Sequence, residues 1–439
     1  MRRKIKVLSI IFLLLPVFMV SCNRKKPGES REGKEKIIIT YVYCEGLPSM
    51  IKMNNEVIAN FEKENPDIKV KAEWGVNFQK HLTQFAGGVS PDVSFWPWGP
   101  AKLVPKDLLL PLNDLIDKHE LDLSQYFKSI IGYYDYKGKI YLIPQQLKTI
   151  ALMYNKDIFD KFNVPYPTED WSWNDYYEAA RNLTVDTDND GRRDYYGTQL
   201  PDPNIWVILN NSDIFDWNKG KSLLNTERTK EALEFVVKLY RECCPSSREV
   251  QTFGGYSGSF GIWSIEPFLT GKVAMVPAWA FMVRDTTRIK SFDWDIVPIP
   301  KAPDGKRHQV FYEGGLCISK SCKHPDEAFR FIKYYCEKEG MVVYGRERNG
   351  VPAHIEAALE TFPTLPHNLR CYVDAVRGAK GLPLWIEPTA GDITKEFGMQ
   401  VDLVLLGKKS LDDMIRDVSA SMERNYKEFL RKEVPIKLR

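Results

Sequence analysis

The chain has 439 residues, too many for one ordinary core, so two or more domains are expected. Hydrophobic residues make up 44% and charged residues 27%, the balance of a soluble globular protein. The formal net charge is +3 and falls to −1 without residues 1–21, which carry Arg2, Arg3, Lys4 and Lys6 and no acid; this argues against a polyanion partner such as nucleic acid.

The N-terminus sets the compartment. Those four basic residues precede an apolar run from Val7 to Val20 that ends in "VSC" (20–22). A basic start, a short apolar core and a small residue before the cut describe an export signal over 1–21, too short to span a bilayer comfortably. Ser21 followed by Cys22 resembles a bacterial lipoprotein box, with Met19 where Leu is commonest. That resemblance implies that Cys22 becomes the lipid-bearing first residue; the alternative is an uncleaved anchor helix. Either way the body lies outside the cytoplasm. Residues 22–36 then form the lipidated cysteine and a tether without large apolar side chains.

"IIITYVY" (37–43) reads as a strand, and Met50, Met53, Val57 and Phe61 share one face of a helix that stops before Pro66. "IKVKAEW" (68–74) alternates as a second strand, so a parallel βαβ unit is expected. "PDVSFW" (91–96) is the next strand, and "LLLPLNDLID" (108–117) a turn into a short helix. Ser172 and Asp175 make a capping box before Trp173, Tyr176, Tyr177 and Ala180. Leu233, Val236, Val237 and Tyr240 mark another helix. Pro325 opens one that carries Ala328, Phe331, Ile332 and Tyr335, with Gly340 as its stop. Ser410 and Asp413 cap a last helix with Leu411, Met414, Ile415, Val418 and Met422. Strands interleaved with helices give an α/β fold.

"VDTDNDGRRDYYG" (185–197) opens like a calcium loop, with Asp186, Asp188 and Asp190 at alternate positions, Gly191 for the turn, the carbonyl of Arg192 and Asp194. Its twelfth position is Gly197 rather than a bidentate Glu, so the expectation is a structural calcium ion or a solvated turn, not an EF-hand. Beyond Cys22 there are seven cysteines, an odd number, and no CxxC, which excludes a disulfide framework or a zinc site; a pair such as Cys317 with Cys322 stays open.

Enzyme signatures are missing. The histidines (81, 119, 308, 324, 354 and 367) form no HExxH. "GGYSGSFG" (254–261) has Ser259 where GxSxG needs its last glycine and reads as a mobile loop. "GKS" (220–222) has Phe215 in place of the upstream glycine of a phosphate loop. A glycosidase carboxylate pair would be diagnosed only by its separation in space.

Four segments in order resemble the extracellular solute-binding protein family 1, the carbohydrate-binding lipoproteins of ABC importers related to maltose-binding protein. They are "FAGGVSPDV" (85–93), "YKGKIYLIPQQLKTIALMYNKDIFDKFNVPYPTEDWSWNDYYEAA" (136–180), "GKVAMVPAWA" (271–280) and "EGGLCISKSCKHPDEAFRFIKYY" (313–335). The resemblance implies a two-lobed periplasmic-binding-protein type II fold with discontinuous lobes joined by crossover strands near 145–149, 296–301 and 350–354. Lobe one would be 37–146 plus 300–352, and lobe two 147–299 plus 353–439. It implies a monomer that captures a sugar or oligosaccharide by hinge closure, performs no catalysis, needs no cofactor and delivers its ligand to a permease with a separate ATPase. A secreted carbohydrate-active enzyme is the alternative.

Sugar binding needs flat aromatic surfaces and directed polar groups. The resemblance puts a ligand-stacking tryptophan at Trp279. Trp98 leaves the carboxyl end of a strand, where open α/β sheets bind ligands, and Trp206 and Trp385 are further platforms. Glu45, Lys148, Glu313 and Asp392 are the expected polar rim.

Overall fold

The computed structural model describes residues 36–97, 103–199, 202–253, 264–382 and 390–433. Strand β1 (Ile37–Tyr43), the helix Pro48–Glu64 and strand β2 (Ile68–Trp74) form the expected unit, with β1 and β2 parallel from Ile37↔Ile68 to Tyr43↔Trp74. Pro48 suits the first turn, where no intrahelical N–H is needed, and Met50, Met53, Val57 and Phe61 are buried along one face. Strand β3 (Val93–Trp96) lies parallel to β1. A hairpin of β4 (Asp135–Tyr136) and β5 (Lys139–Ile140) leads into β6 (Ile143–Asn155), whose 13 residues are all buried.

Next come β7 (Tyr196–Thr198) and a small hairpin of β8 (Phe215–Asp216) and β9 (Lys221–Ser222). Strands β10 (Val273–Trp279), β11 (Trp294–Val297) and β12 (Gln309–Ile318) follow. The short β13 (Val351–Pro352) and β14 (Ala379–Gly381) come last. The main sheet runs β2-β1-β3-β12-β6-β10-β7, with β11 and β13 also on β6 and β14 on β12.

Strand β6 organises this sheet by exchanging its partners midway. Ile143–Thr149 pair with β12, and Gln146 and Leu147 also with β13. Ile150–Tyr154 pair with β10, and Leu152–Asn155 with β11. The exchange falls between Thr149 and Ile150. A strand buried on both sides normally reads as unbroken apolar sequence, yet β6 buries Gln145, Gln146, Lys148 and Thr149 just before the exchange. Thr149 Oγ1 donates to the Tyr372 carbonyl at 2.8 Å, and Gln145 Oε1 accepts from the Tyr43 hydroxyl at 3.5 Å.

The core falls into two clusters. The smaller contains Ile39, Met50, Phe61, Phe95, Leu316, Phe331 and Tyr335, and the larger runs along β6 to Trp173, Trp206, Phe268 and Phe397. The capping box at Ser172 forms as expected, with Asp175 accepting the Ser172 N–H at 2.8 Å. Ser410 and Asp413 likewise open the helix Leu411–Glu433. Gly340 is not a stop. The helix Pro325–Cys336 ends at Glu337, and Gly340 lies in the first turn of a second helix, Lys338–Arg346. It is glycine for closeness: a Cβ there would stand 2.4 Å from the Tyr335 carbonyl oxygen. The seven described cysteines are all free, so Cys317 and Cys322 do not pair. Among the described residues no helix is long and apolar enough to cross a membrane. The segment 254–261 and Cys22 lie outside the described residues.

Candidate functional site

The partner exchange in β6 brings together residues that are far apart in sequence. Lys148 and Tyr312 are cross-strand neighbours on β6 and β12, and Ile150 faces Trp279 at the end of β10. Residues two apart on a strand share a face, so Lys148, Tyr312 and Trp279 project to one side. The Trp279 and Tyr312 rings meet edge to face with centroids 4.9 Å apart. The Lys148 ammonium lies 5.1 Å from the centre of the Tyr312 ring and 5.2 Å from that of Phe281, within reach of cation–π attraction.

Polar groups continue from this aromatic corner. Glu45 follows β1, and its Oε1 lies 3.4 Å from Lys148 Nζ. Its Oε2 accepts the Asn349 side-chain N–H at 2.7 Å, and Asn349 Oδ1 accepts from Arg284 at 2.7 Å. The loop after β1, the middle of β6, the 3-10 helix Ala280–Arg288 and the turn before β13 thus converge on one point. The arrangement sets aromatic edges beside a carboxylate, an ammonium and a guanidinium, the mixed chemistry that a polyol requires, with Trp279, Tyr312 and Lys148 buried in this conformation.

The expected site residues divide as follows. Glu45, Lys148 and Trp279 come together at this corner. Glu313 does not join them: it pairs with Leu147, so strand alternation turns it to the opposite face from Tyr312, where it is fully buried. Trp206 is also corrected. It is fully buried on the helix Pro203–Leu209, with Trp173 at 4.8 Å, Tyr176 stacked at 5.7 Å and Phe235 at 5.0 Å, so its rings are spent on the core. Asp392 is exposed in the first turn of the helix Ala390–Leu405 and forms no hydrogen bond or ion pair with the corner among the described residues. Trp98 and Trp385 lie outside the described residues. Sequence reasoning missed Tyr312, Phe281, Arg284 and Asn349. Tyr312 could have been found beside Glu313, and Asn349 as the Asn-Gly turn before the expected crossing.

The aspartate loop is closed at its base by Val185↔Tyr195. Carboxylate oxygens of Asp186, Asp188 and Asp194 lie within 4.8 Å of one another, and Asp186 Oδ1 is buried without a hydrogen-bond partner. Three convergent carboxylates with one idle buried oxygen fit a hard cation. Asp190, an expected ligand, is not in the cluster; its carboxylate accepts the Arg192 N–H at 2.8 Å. Hydrogen bonds from Thr187 hold the Asp194 carboxyl below the usual carboxylate range.

A family model for the bacterial extracellular solute-binding proteins matches residues 48–342. The chain belongs to that family, one of binding proteins. It is 22% identical over 391 residues to a binding protein of Brucella abortus, covering 84% of this chain and 88% of that one. It is 22% identical to the maltodextrin-binding protein MdxE of Bacillus subtilis over 377 residues, covering 78% and 79% of the two chains. Its fold matches an ABC substrate-binding protein of Listeria monocytogenes in complex with cycloalternan, with a TM-score of 0.76 and 23% identity over 89% of this chain and 99% of that one. The fold is therefore the two-lobed α/β architecture of ABC solute-binding proteins.

Proposed function

We propose that the protein is the extracytoplasmic receptor of an ABC importer, that it captures a sugar or oligosaccharide at the Glu45–Lys148–Tyr312–Trp279 corner, and that it passes the ligand unaltered to a permease. The observation that carries this reading is the corner itself, where aromatic edges and paired charges meet at the partner exchange of β6. The maltodextrin and cycloalternan bound by the two relatives above support a carbohydrate ligand.

In this reading lobe one comprises 37–146 and 300–352, and lobe two 147–299 and 353–439, turning about the crossover link near 145–149. The smaller core cluster supports that division, since its buried members fall within lobe one apart from Ala353 and Ala357. Rotation about the link parts Trp279 from Tyr312 and opens their faces to a sugar ring. Ligand contacts from both lobes exist only in the closed form, and that difference in affinity drives closure. Export by residues 1–21, a lipid on Cys22 and action as a monomer complete the reading; a relative from Streptomyces antibioticus, 24% identical over 364 residues, is named a lipoprotein.

The test is a thermal-shift screen against mono- and oligosaccharides, with sn-glycerol 3-phosphate as the anionic comparator. A saccharide raises the melting temperature by binding only the native state and is recovered unshortened. A response to glycerol phosphate alone, or release of cleaved sugar, overturns the reading.

We also propose that Asp186, Asp188 and Asp194 hold a structural calcium ion. A bound ion relieves the mutual repulsion of the three carboxylates and stiffens the loop ahead of β7. At a hundredfold excess over its Kd it adds about 2.7 kcal/mol of stability. Calcium should then raise the melting temperature and a chelator lower it, with neither effect in Asp188→Asn. Equal melting in calcium and chelator would remove the ion from the account.

A further inference from the structure

Arg284, Asn349 and Glu45 form a relay through three separate segments. Arg284 Nη1 donates to Asn349 Oδ1 at 2.7 Å, and Asn349 Nδ2 donates to Glu45 Oε2 at 2.7 Å. Asn349 is only 2% exposed. A primary amide has one accepting end and one donating end. Only this orientation serves both partners, because the flipped amide would set its NH2 against the guanidinium and its oxygen against the carboxylate. The turn that carries it is fixed as well. Arg348 has φ 51° and Gly350 φ 150°, and a Cβ on Gly350 would stand 2.8 Å from the Tyr344 hydroxyl and 3.2 Å from the Leu147 carbonyl oxygen. Asn349 is therefore pressed against the crossover strand with its amide poised between a cation and an anion.

We propose that Asn349 is a positioning residue that aims Glu45 at the ligand only when Arg284 has docked on it, so that closing the clamp and completing its polar floor are one event. This rests on the hinged reading above, with Arg284 on lobe two and Asn349 and Glu45 on lobe one. The Arg284–Asn349 bond exists only in the closed arrangement, so it draws the ligand-free protein toward closure. Glu45 keeps Oε1 turned to Lys148 at 3.4 Å, a long contact that a ligand hydroxyl can enter.

The charged and titratable groups around the relay are few. Lys148 faces Glu45 from β6, and Asp285 lies 3.4 Å from Arg284 Nε. Burial pushes the Cys44 thiol up to about 12, and it raises Tyr43, Tyr312, Tyr335 and Tyr344 above their usual values, so these groups stay neutral in mild acid. An Asp at 349 keeps a partner for Arg284 but sets a second carboxylate against Glu45.

The experiment needs no identified ligand. Small-angle scattering of the ligand-free protein compares wild type with Arg284→Met and Asn349→Ala. Both variants should show a larger radius of gyration with cooperative melting retained. Asn349→Asp should keep the wild-type radius but melt lower at pH 7, and that deficit should shrink as the pH falls toward 4 and the carboxylate pair takes up a proton. A loss of packing alone would leave the deficit independent of pH. Unchanged radii in both opening variants, or a flat deficit in Asn349→Asp, overturn the relay. Wild type with the saccharide panel serves as the control. Compaction there with unchanged variants refutes the relay alone, whereas unchanged variants together with no compaction by any sugar refute the hinged receptor.

Discussion

Asp202 caps the helix Pro203–Leu209 by accepting the Asn204 N–H at 2.8 Å, but burial pushes its carboxyl up to about 7, and Asp402 adds to the rise. The folded carboxyl holds its proton to a higher pH than the unfolded one, whose value is 3.8. Between those values the folded state binds more protons, so this group's contribution to stability falls as the pH rises and is lowest above 7. Asn caps as well as Asp. Asp202→Asn should therefore stabilise the protein at pH 8 by on the order of 4 kcal/mol, with the gain vanishing below pH 4; thermal melts across that range check it. At Trp279, 1% exposed, Ala would leave a cavity costing about 3–5 kcal/mol and blur any binding result. Trp279→Phe keeps a ring against Tyr312, so it should lower saccharide affinity roughly tenfold, about 1.4 kcal/mol, while melting close to wild type; calorimetric titration separates the two effects. The site was only partly legible at this scale. Glu45 and Lys148 stand out as charges beside apolar strands, whereas Arg284 and Asn349 meet across 65 positions with no spacing pattern to announce them. Trp206 shows the converse, because a tryptophan's large apolar area suits a core as well as a sugar.

Elements were legible where their causes are local. The βαβ unit, the capping box at Ser172 and the final helix follow from period, caps and turns within a few residues. Gly340 was misread because its reason is tertiary: the second helix packs so tightly on the end of the first that no side chain fits. Gly340→Ala should cost about 1–3 kcal/mol, seen as a lower denaturation midpoint with an unchanged slope. The exchange of partners along β6 was invisible for the same reason. Its sequence marks a buried strand with misplaced polar residues, and only the pairing with β10, β11, β12 and β13 explains them.

At the scale of the whole molecule, one strand belongs to two sets of neighbours, and Lys148, beside its switch point, is the polar residue that joins the proposed site. The family to which the chain belongs is one of binding proteins. The proposal adds that binding and hinge rotation are one equilibrium. In that account the aspartate loop and the buried Trp206 cluster serve rigidity within lobe two, and the moving part is confined to the crossover strands.

The most direct measurement is energy transfer between dyes placed on exposed positions of the two lobes, at Lys71 and Lys219, with the best saccharide from the screen. The account predicts a saturable shift to a single, higher-transfer population that reverses when the sugar is removed. Unchanged transfer at saturating saccharide would contradict it, for then the sugar would be held by a body that does not close.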